Sequence, residues 1–407
     1  MKKRKKIILG SITGALALAL AGGGFWAYKT FVPQETPIDK NATVASNFYQ
    51  AVNKDWLLKT KIPADSPSID NFYTLDEDIK GKLKKDIKNL GEGKETSDIT
   101  GMSEFITFYK AASNYKQREK DGLEPLKPYL KEIEDIKDLN DLASKSASLT
   151  DRGIPLPFGY DVGTNAENTS QKQIQLSPPS ILLPDVSIYK DEASKKQYLT
   201  PIETATQKAL EMLGYSEKNS KRIVKEALEF DEIIAKYSLS NEEMSESKNL
   251  VHPKTAEEIN AYSGSFKLYD VIKGIMGRDL ETINVPNTKY FENYSKIVNQ
   301  DNFSKIKSWI LVQEAMAASN SLTEDYRLNF QSISMAIMGT QKPISKEDTV
   351  YEMSVNLFSD VMSVYYGRKY FGEEAKTDVT GMIDKIKNVY RGRLQQNDWL
   401  TEDTRNK

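Results

Sequence analysis

Cysteine is absent from the 407 residues, and histidine occurs once, as His252. The first absence removes disulfides, thiolate nucleophiles, iron–sulfur clusters and cysteine-ligated zinc together. It also fits a bacterial surface better than a secreted animal protein, which at this size usually carries bridges. The second absence excludes more. Hydrolytic zinc sites generally take two or three histidines, completed by a carboxylate and a water, and no His-Glu-x-x-His is present. A Ser–His–Asp triad would need His252 as its base, and no Gly-x-Ser-x-Gly elbow accompanies it. Within Leu250-Val251-His252-Pro253 the imidazole reads as a loop residue bonded to backbone or water. An excess of positive charge is lacking as well. The net charge is -2, and five of the positive side chains lie within the first six residues, so the remainder is more acidic still. A nucleic-acid partner would want the opposite sign and is not expected.

Other chemistry is missing too. Gly91-Glu92-Gly93 lacks the strand–helix context and the Lys-Ser/Thr ending of a phosphate loop. With 58 acidic residues in the chain, the pairs Glu242/Glu243 and Glu373/Glu374 read as solvated surface. Asn-x-Ser/Thr tripeptides at Asn41, Asn168, Asn293 and Asn302 indicate exposure and nothing further.

What is present describes a folded, exported chain. Hydrophobic residues at 39% and charged residues at 28% give a globular core rather than extended disorder. Residues 1–6 form a basic tail, and the uncharged run from Ile7 to Tyr28 is long enough, at 1.5 Å per residue, to cross a ~30 Å hydrocarbon core. The cations hold the N-terminus in the cytoplasm and send the rest outside. A cleaved signal peptide, with its apolar stretch from Ile7 to Ala21 and an Ala-Leu-Ala site, is the competing reading. Both place the body beyond the membrane. Residues 29–45 read as a stalk, and 46–407 as one large, mainly α-helical ectodomain.

Helical period dominates that body. Thr200-Pro201-Ile202-Glu203 predicts a helix start, with a stop at Gly214. Ser216 caps a second helix whose Ile223, Val224, Ala227, Leu228, Ile234 and Tyr237 form one stripe. Val379, Met382, Ile383, Ile386, Val389 and Leu394 repeat the pattern, while Trp309 to Met316 and Phe330 to Met338 read as more deeply buried helices. Strand signals are confined to Ile174–Leu176 and Ile283–Val285, and prolines at 155–157 and 178–184 mark loops. Thr401 caps a final helix of barely one turn, so the end reads as cut.

Several segments, in order, resemble the neprilysin family of zinc metallopeptidases, especially its cysteine-free bacterial endopeptidase O type. Asn47-Phe48-Tyr49-Gln50-Ala51-Val52-Asn53-Lys54-Asp55-Trp56 is similar to the opening motif Asp-Phe-Tyr-x-x-Val-Asn-Gly-x-Trp. Gly122-Leu123-Glu124-Pro125-Leu126, Pro179 to Asp185, Leu239 to Glu243, Gly339-Thr340, Gly367 to Phe371 and Asp398-Trp399-Leu400 follow. The opening residues Asn47, Phe48, Tyr49, Asn53 and Trp56 are structural in this resemblance. It implies a helical cap that encloses the peptide cleft and selects substrates by size. The catalytic glutamate and zinc ligands would lie in a later thermolysin-like domain, so this chain would hold no cofactor and no catalytic residue, and would be inactive alone. Peptides would be met through that later domain.

The departures matter. Asn47 and Lys54 stand where the family has aspartate and glycine. Where animal members of the family place two carboxylate-gripping arginines around a shared Asn-Phe, this chain has Ser68 and Asp76 flanking Asn71-Phe72, and neither can form a bidentate clamp. Three readings remain: a truncated endopeptidase, a non-enzymatic surface protein binding peptides or a partner, or a half whose catalytic complement is a separate chain. A chain alone should leave large apolar side chains uncovered, Trp56 and Trp399 among them.

Overall fold

A computed structural model describes residues 38–406 apart from Glu167. The expected membrane segment therefore lies outside the described residues. The chain divides into two compact units. One comprises the residues up to Ile69 together with Tyr115–Ile344, and the other comprises Asp70–Asn114 together with the chain from Ser345 onward. Both are mainly helical.

The first unit is organised by a helical hairpin. Helix Glu192–Met212 is followed by Gly214 at φ +98°, a conformation glycine adopts without strain. Ser216 then caps helix Glu217–Tyr237 by accepting from the Asn219 amide. The stripe read from the sequence is the buried one: Ile223, Val224, Ala227 and Ile234 are within 4% of full burial. The small residues Ala205, Ala209 and Ala227, also buried, let the helices approach closely. The Phe303–Ala317 helix packs along Glu217–Tyr237 and buries Trp309, Ile310, Leu311, Val312 and Ala315. Burial of Ile310, Leu311 and Val312 contributes about 1.5–3 kcal/mol each. Helix Glu324–Met338 packs on Glu192–Met212, but its second half is less buried than expected, with Met338 half exposed.

The predicted start at Thr200 is incorrect. The helix begins at Glu192, where Asp191 accepts from the Ser194 amide, and Pro201 lies inside it. An interior proline removes one backbone bond and crowds the carbonyl four residues back. Tertiary packing on both sides of Pro201 overrides that local cost. The Thr200 hydroxyl donates backward to the Lys196 carbonyl rather than capping.

Four strands make the unit's sheet: β1 (Gly159–Thr164), β2 (Lys172–Ser177), β3 (Pro253–Lys254) and β4 (Ile283–Asn284), in the order β1-β2-β4-β3. Strand β1 pairs antiparallel with β2, β2 runs parallel to β4, and β3 is antiparallel to β4. β2 and β4 match the strand signals. β1 contains two glycines and an aspartate, and so carries no strand signal of its own.

The second unit has a smaller core. Leu83 and Ile87 of helix Asn71–Gly91, Met102 and Phe105 of helix Met102–Ala112, and Tyr351, Met362 and Tyr365 form one cluster. Phe105 meets Phe358 edge-on at 5.7 Å. Gly101 sits at φ +88°, and a Cβ there would come within 2.8 Å of Val361, so both backbone and packing require glycine. Helices Lys346–Leu357 and Ser359–Tyr366 lead into a π turn, Gly367–Phe371, and then into the long helix Gly372–Gln395.

Candidate functional site

Among the described residues no three histidine, aspartate or glutamate side chains are grouped to hold an ion. His252 is tied through its backbone beside β4: its N–H donates to Asn284 Oδ1 at 2.6 Å and its carbonyl accepts from Val285 at 3.0 Å. This donor set does not fit a zinc ion, and no hydrolytic step is assigned to it.

The acidic pairs behave differently from each other. Glu373 and Glu374 are exposed at the start of the long helix. Glu243 instead closes a capping box, accepting from the Ser240 amide at 2.8 Å while its own amide donates to the Ser240 hydroxyl at 3.2 Å. Of the four Asn-x-Ser/Thr positions, Asn41 and Asn168 are exposed. Asn293 and Asn302 are half-buried, their amides donating to nearby carbonyls.

Two segments singled out in the sequence meet in the first unit. The Asn241 amide donates to Asp185 Oδ2 at 2.8 Å, joining the Pro179–Asp185 loop to the segment after Leu239. An open groove of about 400 Å³ runs between them, lined by Ile181, Leu183, Leu239, Met244 and Asn287. Asp231 anchors the proline-rich side. Its carboxylate accepts from the Leu182 amide at 3.0 Å, from Trp309 Nε1 at 2.9 Å and from the Tyr189 hydroxyl. Burial pushes its pKa up to about 6, against the pull of those three donors. The sequence did carry a sign of this residue: an acid on the apolar stripe between Ala227 and Ile234.

The opening motif forms helix Phe48–Lys59, capped by Asn47, whose side chain accepts from the Gln50 amide. Phe48, Tyr49 and Val52 are at least 60% exposed, Trp56 is half-buried, and the Asn53 amide donates to the Tyr49 carbonyl at 3.0 Å. Lys54, in the family's glycine position, extends the same helix and donates to the Lys40 carbonyl. Ser68 and Asp76 are both exposed, one in each unit.

In the second unit the long helix leaves its apolar stripe uncovered. No residue of Gly372–Gln395 is buried; Met382, Ile386 and Val389 are more than half exposed, and Trp399 beyond it is 78% exposed. The π turn before it is pinned to the unit's core by a polar cluster that sequence reasoning missed. Lys369 Nζ lies 2.9 Å from Asp86 and 2.7 Å from Glu95, and it meets the Tyr365 hydroxyl at 3.0 Å. The Tyr370 hydroxyl donates to Asp86 Oδ2 at 2.7 Å. Asp86 is buried, yet Tyr370 and Lys369 hold its carboxyl below the usual range against the opposing effect of burial. Asp86 and Lys369 are far apart in sequence, and nothing local to either announces the pairing.

Comparison with known proteins covers nearly the whole described chain. Residues 44–407 match the N-terminal model of peptidase family M13. A neutral endopeptidase of Lactobacillus helveticus is 33% identical over 370 residues, 91% of this chain and 57% of that protein. A putative zinc metalloproteinase of Streptococcus gordonii is 27% identical over 89% of this chain and 64% of its own length. Among solved structures, PepO from Lactobacillus rhamnosis matches with a TM-score of 0.82 at 24% identity, over 90% of this chain and 58% of that one. The chain thus spans about three fifths of the length of the relatives it matches.

Proposed function

The chain belongs to peptidase family M13, of which residues 44–407 are the neprilysin/PepO-like N-terminal domain, and from that premise we propose that it is the non-catalytic cap of a membrane-anchored zinc metalloendopeptidase. In this reading residues 46–407 enclose and size-restrict a peptide cleft on the outer side of a membrane. The basic residues 1–6 and the apolar run Ile7–Tyr28 anchor them there. Zinc ligands and the general base come from residues beyond those of this chain.

One observation carries the reading: the amphipathic helix Gly372–Gln395 has a regular apolar stripe and no buried residue. Monomeric proteins rarely leave such a face in water, and it is the kind of surface that a missing part of an enzyme covers. The donor chemistry is consistent with this, since among the described residues the one imidazole is half-buried and no three carboxylate or imidazole groups come together. Purified in detergent, the 407-residue chain should take up substoichiometric zinc and leave peptides intact. Stoichiometric zinc together with peptide hydrolysis would overturn the proposal.

A finer point concerns specificity. Ser68 and Asp76 occupy the positions of the carboxylate-gripping arginines, and neither side chain can chelate a terminal carboxylate. The complete enzyme should therefore cleave amidated and free-acid peptides at similar rates. A large preference for free acids would refute this.

A further inference from the structure

The direction of the long helix rests on very little. Along Gly372–Gln395 no side chain is buried, so no core contact downstream of its first turn fixes where it points. What precedes it is a π turn, whose i→i+5 bonding is a rare interruption of a helix, often placed at functional positions. The Gly372 amide closes that turn on the Gly367 carbonyl. Gly372 itself sits at φ +75°, ψ 171°, a region essentially restricted to glycine, and it breaks the path between Phe371 and Glu373. Gly367 is helical, and a Cβ there would meet nothing within 4 Å. Neither conformation nor packing calls for glycine at 367, and its presence loosens the backbone.

Against this loose backbone stands the polar cluster. Lys369 and Tyr370, both inside the π turn, reach Asp86 on helix Asn71–Gly91, and Lys369 also reaches Glu95. Arg368 adds a surface pair to Asp98 at 3.3 Å. The three consecutive polar side chains of the turn thus all grip the same side of the second unit.

We infer that Gly367–Gly372 is a hinge and that the Asp86–Lys369–Glu95–Tyr370 cluster is its latch, holding the Gly372–Gln395 helix at one angle and freeing it to swing when the latch is broken. The device lies wholly within the second unit and is a property of the 407-residue chain, in which the stripe of the long helix is uncovered. Lys369 and Tyr370 are positioning residues: they act on the helix through the backbone of the turn. Hinges of this kind are a few residues at the end of an element that absorb a backbone rotation while both flanks stay rigid.

The absence of native cysteine makes the test direct. Two cysteines introduced at exposed positions, Glu104→Cys on the Met102–Ala112 helix and Lys387→Cys on the long helix, allow a spin-label distance distribution to be measured in the full chain. The parent chain should give one narrow distribution. Asp86→Asn and Lys369→Gln should broaden or shift it by more than about 5 Å, one helical turn. Glu95→Gln removes a partner at the surface without touching the core and should broaden it less, with an unchanged melting temperature. This variant keeps the test informative if Asp86→Asn does not fold. A narrow, unmoved distribution in Lys369→Gln and Glu95→Gln would overturn the inference, as would a broad one in the parent.

Discussion

In the first unit the carboxylate at the centre of the fold, Asp231, is sealed among apolar side chains and served by three neutral donors. In the second unit the key carboxylates, half-buried Asp348 and buried Asp86, are served by lysines: Asp348 by Lys80 at 3.0 Å and by Lys84, Asp86 by Lys369. The consequences have opposite sign. Burial dominates at Asp231 and raises its pKa, whereas at Asp348 the hydrogen bonds from Lys84, Ser345 and Lys80 outweigh burial and lower it to about 2. A large core can carry one expensive polar group for the sake of a loop. A small core leans on charge instead.

The largest test of this contrast is Phe230→Ala. Phe230 is fully buried and meets Trp309 edge-on at 5.9 Å. Its loss should cost about 3–5 kcal/mol, read as a lowered urea midpoint for the first unit by tryptophan fluorescence. An effect below 1 kcal/mol, on the scale of ordinary surface changes, would mean that this core is not what holds the unit.

Acid should separate the units next. Folded Asp231 keeps its proton up to about pH 6, while the unfolded residue loses it near 3.8. The folded state therefore binds more protons in that window, and the first unit gains stability as pH falls from 6 to 4, by up to about 3 kcal/mol. Asp348 has the reverse order: folded, it holds its charge down to about pH 2, so its contribution is present above 3.8 and lost as pH falls towards 2. Hydrogen exchange at pH 7, 5 and 3 should show protection rising in Glu217–Tyr237 between 7 and 5, then falling in Lys346–Leu357 towards 3. Parallel behaviour in both would erase the contrast.

A smaller effect is expected from Asp348→Asn, which weakens two lysine contacts and the bond the Ser345 hydroxyl donates to the Asp348 carboxylate, at about 1 kcal/mol. Added salt should shrink the difference from wild type, because partly exposed ion pairs are screened. The least costly change is Ile386→Gln on the uncovered stripe. Stability should move by less than about 0.5 kcal/mol, while binding of an apolar dye drops. A clear loss of stability would show that the stripe is already covered in solution.

The readable parts of this fold were those with local causes. The Ser216 cap, the turn at Gly214 and the stripe through Ile223 and Ile234 follow from helix period and glycine geometry, and all are found where expected. The start of the preceding helix was misplaced because Thr200-Pro201 looks locally like a beginning, and only packing reveals that it is not. Strand β1 was missed because its sequence carries glycine and aspartate where alternation would be diagnostic. The stripe on Gly372–Gln395 was legible as a helix, but periodicity says nothing about whether a face is covered. The same limit applied to the tryptophans: Trp399 is open to solvent, whereas Trp56 is half-buried. The Asp86–Lys369 cluster was illegible for a different reason, since its members meet only after the chain has returned from the other unit.

That return sets a timetable for synthesis. Asp70–Asn114 leaves the ribosome early, yet its packing partners begin at Ser345, more than two hundred residues later. At about 5–20 residues per second the early segment waits at least about 10 s. Throughout that interval Leu83, Ile87 and Phe105 have no core to enter, while the chain between them and their partners can complete the first unit's own interior. Newly made protein should therefore pass through a stage with one unit finished and the other open, and that stage is when a holding chaperone has most to bind.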